Sequence, residues 1–249
     1  MVVKFIFGDA REWRYIIESL ATLIDEANFI FTPEGLRLRA LDPSRIAMVN
    51  LELPSIAFEE YSCDQETKAG ISFEDLTKVL KRGRADEKVE FSVEGGRLRV
   101  KIVGKASRTF SLPLIDVAGE ELPLPKISFT VTAKLLSDTL KDAIGDVELV
   151  SDSVKMEAAE EAFKVKASSD KGEVEIAFDR ESGALIEYEV AEPSTASYSV
   201  SYLSDMIKKA KALSDIATLQ FSTNKPLSLT FELAGGGKLA YFLAPRIET

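Results

Sequence analysis

The chain has 249 residues, 45% of them hydrophobic, enough for one large or two modest domains with buried cores, and its charges (29%) are spread too evenly for a disordered chain. No apolar run approaches the roughly 20 residues of a membrane-spanning helix. The start lacks a signal-peptide layout, and the single cysteine, Cys63, excludes an internal disulfide, so an intracellular protein is expected. Histidine is absent, which removes His triads, His general bases and the commonest zinc ligand; 41 acidic against 31 basic residues give a net charge of −10, the wrong sign for a nucleic-acid binder unless the charge is unevenly distributed.

Residues 1–7 alternate like a strand. A helix follows over about 9–24, with Trp13, Ile16, Ile17, Leu20, Leu23 and Ile24 on one face, Asp9 as N-cap and Glu12 three residues later. Strands are expected over 36–40 and 47–53. A second helix covers about 72–82, with Phe73, Leu76, Val79 and Leu80 apolar, and strands 89–93 and 98–103 flank the turn Glu94-Gly95-Gly96-Arg97. The third helix is expected over about 133–144, with Gly145 at its C′ position. Strands 163–167, 174–178 and 186–190, punctuated by Ser182-Gly183, precede a fourth helix over about 202–213. Strands 219–222 and 227–233 close the chain around Asn224-Lys225-Pro226 and Gly235-Gly236-Gly237. Short antiparallel hairpins with a few helices make this α+β rather than a doubly wound parallel sheet.

An internal repeat organises these elements. The run from the second helix through strands 89–93 and 98–103 to Phe110-Ser111-Leu112-Pro113-Leu114-Ile115-Asp116 matches the run from the fourth helix through 219–223 and 227–233 to Tyr241-Phe242-Leu243-Ala244-Pro245-Arg246-Ile247-Glu248. Two similar domains are therefore expected, 1–116 and 127–249, each with two helices against antiparallel sheets. They are joined by an extended segment, 117–126, that holds Gly119, Pro123 and Pro125. Leu122 and Leu124 are apolar residues stranded within it, placed either on the nearest core or at the border of a docking groove.

Positive charge concentrates on helix faces. Lys78, Lys81 and Arg82 share a face of the second helix, Lys208 and Lys211 one of the fourth, with Lys209 adjacent. Arg11 and Arg14 belong to the first helix, Lys134 and Lys141 to the third. Asp138, Asp142 and Asp146 recur every four residues along the third helix; a solvated face, a partner surface or a metal site would each use them, the last needing ligands from elsewhere that no spacing identifies. Phosphate-loop, dinucleotide and nucleophile-elbow motifs are missing, which speaks against an enzyme.

Leu41-Asp42-Pro43-Ser44-Arg45, Leu80-Lys81-Arg82-Gly83, the run 110–116, Val200-Ser201-Tyr202-Leu203-Ser204-Asp205-Met206 and the run 243–248 together resemble the DNA sliding clamps of the proliferating cell nuclear antigen family, most closely the archaeal form. The resemblance spans the whole chain. It implies a closed homotrimeric ring with the helices lining the hole and no catalytic residue, cofactor or metal. Duplex DNA, held without sequence readout, would meet Arg11, Arg14, Lys78, Lys81, Arg82, Lys134, Lys141, Lys208, Lys209 and Lys211. It also implies a pocket for client peptides beside the connecting segment, at Leu41, Met48, Leu122, Leu124, Pro226, Phe242, Ala244 and Pro245. DNA polymerase, clamp loader, flap endonuclease and DNA ligase are the implied clients. Subunits would join through strands at about 107–112 and 174–178, where we expect Arg82, Arg84 and Arg108 to face Asp138, Asp142 and Asp146; Arg82 then has two candidate roles. An archaeal source implies a cytoplasmic, nucleoid-associated protein and a eukaryotic one a nuclear protein.

Overall fold

A computed structural model describes residues 3–119, 121–181 and 183–247. The first two positions of the expected initial strand, Glu120 of the connecting segment, Ser182 of the expected turn and Glu248 of the terminal motif lie outside the described residues. The chain divides into two compact units, one of Met1–Pro43, Val49–Pro123 and Leu233–Leu239, the other of Ser44–Met48, Leu124–Glu232 and Ala240–Thr249.

In chain order, the elements up to the connecting segment are β1 (Val3–Phe7), α1 (Ala10–Leu20), β2 (Glu26–Thr32), β3 (Gly35–Leu41), β4 (Ala47–Pro54), β5 (Glu60–Ser62), β6 (Thr67–Ser72), α2 (Phe73–Leu80), β7 (Lys88–Glu94), β8 (Arg97–Val103) and β9 (Ser107–Pro113). Strands β5-β1-β7-β8-β9 form one antiparallel run and β4-β3-β2-β6 another. Asp9 caps α1 as expected, its carboxylate accepting from the Arg11 backbone N–H at 2.8 Å. Trp13, Ile16, Ile17 and Leu20 then fall on one buried face. Ser72 caps α2; Glu74 and Asp75 in its first turn and Lys78 in its last suit the helix dipole. Trp13 is fully buried within ring-contact distance of Phe5, Phe7, Phe29 and Phe91, so rings of several strands close over one helix. Gly95 and Gly96 both have positive φ, the requirement of the tight turn between β7 and β8.

After the connecting segment come β10 (Val131–Leu136), α3 (Ser137–Glu148), β11 (Ser153–Ala158), β12 (Ala162–Ser169), β13 (Gly172–Asp179), β14 (Leu185–Val190), β15 (Ser194–Ser199), α4 (Val200–Ala210), β16 (Ile216–Phe221), β17 (Leu227–Glu232) and β18 (Lys238–Leu243). Strands β14-β10-β16-β17-β18 and β13-β12-β11-β15 repeat the two earlier orders strand for strand. The duplication read from two matching runs thus extends over every element.

Two expectations about α3 are corrected. The helix begins at Ser137, because Val131, Ala133 and Leu135 alternate as the buried face of β10, paired with both β14 and β16. It also runs through Gly145 rather than ending there, since burial of Val147 continues the stripe of Leu140, Ala143 and Ile144 for another turn. Lys134 therefore lies on a strand, not on a helix face.

Candidate functional site

The basic residues divide by what already holds them. Arg11 pairs with Asp9 at 3.1 Å, Lys78 with Glu74 at 2.6 Å, and Lys141 with Asp142 at 3.3 Å. Lys134 pairs with Glu187 of β14, and Lys211 with Asp138 of α3. The Arg14 guanidinium lies over the Tyr15 ring at 4.9 Å, with its Nε buried and without a hydrogen bond. Lys81 and Arg82, just past α2, and Lys208 on α4 are exposed and carry no ion pair among the described residues. Lys209 is half-buried on α4. Within each unit the paired helices, α1 with α2 and α3 with α4, pack on each other.

The connecting segment is pinned along its first half by side chains of β2, β3 and β6. Asn28 Nδ2 donates to the Val117 carbonyl at 3.0 Å, and Lys68 Nζ to the Gly119 carbonyl at 3.1 Å. Arg37 Nε bonds Glu121 at 2.8 Å and its Nη2 reaches Glu66 at 3.1 Å. Arg39 Nη1 bonds the Leu122 carbonyl at 2.6 Å while its Nε bonds Asn50 at 2.9 Å. Upstream, Ile115 bridges onto β6 at Gly70, where a Cβ would stand 2.1 Å from the Ile115 carbonyl oxygen, so only glycine admits the segment. Segment and strands enclose a cleft of ≈ 310 Å³ that includes Arg39, Leu41, Val117 and Leu122. None of these pins is visible as a motif; the nearest signal is Arg37 and Arg39 on the same face of an alternating strand.

The Arg37 hydrogen bond holds the Glu121 carboxyl below its usual range. A depressed carboxyl contributes its stabilisation above the ordinary range and loses it as pH falls through the lowered value, so the Arg37–Glu121 pin is intact at neutral pH and released in acid. Arg39→Ala removes a pin whose side chain is only 12% exposed. Amide hydrogen exchange over residues 117–122 is then expected to rise on the order of tenfold, the loss of one charged hydrogen bond, without unfolding of the unit. Unchanged exchange would show that the segment is held by other contacts.

The remaining expected pocket positions are half-buried, apart from Leu124, which is exposed. Leu41 ends β3, Met48 lies in β4, and Leu124 is 45% exposed beyond the pinned stretch. Pro226 precedes β17 and Phe242 lies in β18. Ala244 and Pro245 lead into a tail that Arg246 fixes to β15: its N–H bonds the Ser197 carbonyl at 2.7 Å and its Nη2 reaches Asp152 at 3.2 Å.

The expected joining strands are the open-edged β9 and β13. Of the residues expected to face one another there, Arg108 is engaged at home by Glu87 (2.5 Å) and by the Arg82 carbonyl (3.0 Å). Asp138 is engaged by Lys211. Arg84 and Asp146 are exposed, and their side chains make no ion pair among the described residues.

Comparison with known proteins adds two family matches. Residues 4–112 match the model of the proliferating cell nuclear antigen N-terminal domain, and residues 123–246 that of its C-terminal domain. A protein of Thermofilum pendens named DNA polymerase sliding clamp is 57% identical, covering 99% of this chain and 100% of the relative. A crystal structure of PCNA from Thermococcus kodakaraensis superposes with a TM-score of 0.93 at 32% identity, covering 98% of this chain and 100% of that one. A PCNA2–PCNA3 complex from Sulfolobus tokodaii gives 0.90 at 32% identity with full coverage of both chains.

Proposed function

The chain belongs to the proliferating cell nuclear antigen family, and on that premise we propose that it is the subunit of a ring-shaped DNA sliding clamp that tethers polymerase to its template and has no catalytic activity of its own. The observation that carries this reading is the strand-for-strand duplication over a full-length family match, which supplies each copy with two equivalent helix pairs. A clamp must hold DNA without arresting it. Phosphate contacts from a few free cations, in a chain of net charge −10, give weak binding that is independent of sequence.

In this reading Lys81 and Lys208 carry most of the attraction for the duplex, Lys209 stands beside them on α4, and Arg82 serves either the duplex or the junction between copies; Arg11, Lys78, Lys141 and Lys211 add less because each has an ion-pair partner, and Arg14 because it is half-buried over the Tyr15 ring. Lys134, tied to Glu187 on a strand, is the weakest member of the set. Client proteins (polymerase, clamp loader, flap endonuclease and ligase) dock a short peptide against Leu41, Met48, Leu122, Leu124, Pro226, Phe242, Ala244 and Pro245. In keeping with its archaeal relatives, the protein works on DNA in the cytoplasm, and in this reading it does so as part of the nucleoid.

Copies of the chain join β9 of one to β13 of the next, with Arg82, Arg84 and Arg108 facing Asp138, Asp142 and Asp146. Sedimentation of the purified chain is expected to show three copies per particle, and Asp142→Ala to shift it toward single copies. A wild-type chain that stays single at micromolar concentration overturns self-closure. The PCNA2–PCNA3 complex favours a second reading in that event, a ring completed by a paralogous subunit.

A further inference from the structure

Strands β9 and β13 are the longest with an open edge, at seven and eight residues, and each has one hydrogen-bonded neighbour, β8 and β12. The edge of β6 is bridged by Ile115 and that of β15 by Arg246 of the tail. Long bare edges invite pairing with another chain, so what stands beside them decides the partner.

On β8 the residues facing away from the core are Arg97, Arg99 and Lys101, and their cross-strand partners on β9 are Pro113, Ser111 and Thr109. The edge strand thus carries small or short side chains on that face, and the bases one strand in can reach over it. On β13 the outward residues Glu173, Glu175 and Asp179 stand on the edge strand itself. Three bases flank one open edge and three acids the other.

The bases are placed for use at the edge. Since the Leu114 N–H bonds the Gly96 carbonyl, alternation turns the backbone groups of Ser111 toward the open side. Arg97 already lies there, its Nη2 on the Ser111 carbonyl at 2.8 Å and its Nε on Ser111 Oγ at 2.6 Å. Arg99 has no hydrogen bond or ion pair among the described residues, and Lys101 reaches Glu90 at 3.1 Å. On the acidic side, the sole side-chain contact of Glu173 among the described residues is with Ser168 Oγ, from which it accepts at 3.5 Å, while Glu175 is held at home by Lys164 at 2.8 Å and Lys166 at 3.2 Å.

We propose that Arg97, Arg99 and Lys101 of one copy and Glu173, Glu175 and Asp179 of a second copy form an ionic seam on the outward face of the joined sheet. The inference rests on the ring reading above and adds to it a second row of charge, on the opposite sheet face from Arg108. A head-to-tail contact of this kind is heterologous, so every copy gives one basic and one acidic edge. Arg97 also guards the β9 edge in the free chain, because its guanidinium occupies a carbonyl that an incoming strand would need.

The test compares the full-length chain with three variants by sedimentation over a concentration series at low and high salt. One variant is Arg99→Glu with Lys101→Glu, the second Glu173→Lys with Glu175→Lys, and the third carries all four changes. Each double variant is expected to raise the concentration at which half the chains are assembled on the order of tenfold, the effect of turning several exposed ion pairs per ring into repulsions. The fourfold variant, with its polarity inverted but complementary, is expected to return to near the wild-type value, which also shows that the variants fold. Double variants that assemble like wild type at low salt, or a fourfold variant no better than the doubles, overturn the seam. A wild-type chain that does not assemble overturns the ring reading instead.

Discussion

Reversing Lys81 and Lys208 together to Glu shortens the residence of loaded rings on circular DNA on the order of tenfold and flattens its dependence on salt. Both side chains are exposed and without an ion pair among the described residues, so their charge is available to phosphates, whereas Lys78 and Lys211 spend much of theirs on Glu74 and Asp138. Each phosphate contact releases counterions, which is why the salt slope counts contacts. The same reversal at Lys78 and Lys211 is expected to act less per residue. The measurement is the decay of clamp-bound DNA after the loader is removed, at two salt concentrations. Equal decay for wild type and the Lys81/Lys208 variant would remove those residues from the DNA path.

Truncating Phe242 and Leu122 to Ala lowers affinity for a client peptide by about 10- to 100-fold, the usual cost of losing apolar anchors at the centre of a peptide site. Phe242 is half-buried in β18 beside the fully buried Tyr241, and Leu122 is half-buried with its carbonyl fixed by Arg39. Neither side chain fills a core, so sedimentation and thermal unfolding should stay close to wild type. Calorimetry with a synthetic peptide reads the affinity directly. A variant that binds as tightly as wild type would move the docking site elsewhere.

The fold was legible where a side-chain pattern and a cap agreed. Asp9 ahead of Trp13, Ile16, Ile17 and Leu20 defines α1, and the repeat of Phe91 with Phe221 and of Phe110-Ser111-Leu112-Pro113 with Phe242-Leu243-Ala244-Pro245 announces the duplication. The start of α3 was not legible, because Ala133, Leu136 and Leu140 satisfy helical spacing while Val131, Ala133 and Leu135 satisfy strand alternation. Pairing with β14 and β16 decides for the strand. The pins on the connecting segment were hidden for a different reason. Arg39 binds a main-chain carbonyl 83 residues away, and a carbonyl has no residue type for a pattern to register. The open edges were read as strands, but which bases and acids already had partners at home depended on contacts such as Arg108 with Glu87.

The two halves repeat in topology yet differ in what fills them. The only tryptophan, Trp13, sits in the core of the first half, and the second half has the buried Tyr188, Tyr198 and Tyr241 in its place. Indole emission is therefore an optical label for one half alone. Any divergence between that label and a whole-chain signal such as circular dichroism reports how far one repeat can loosen while the other holds.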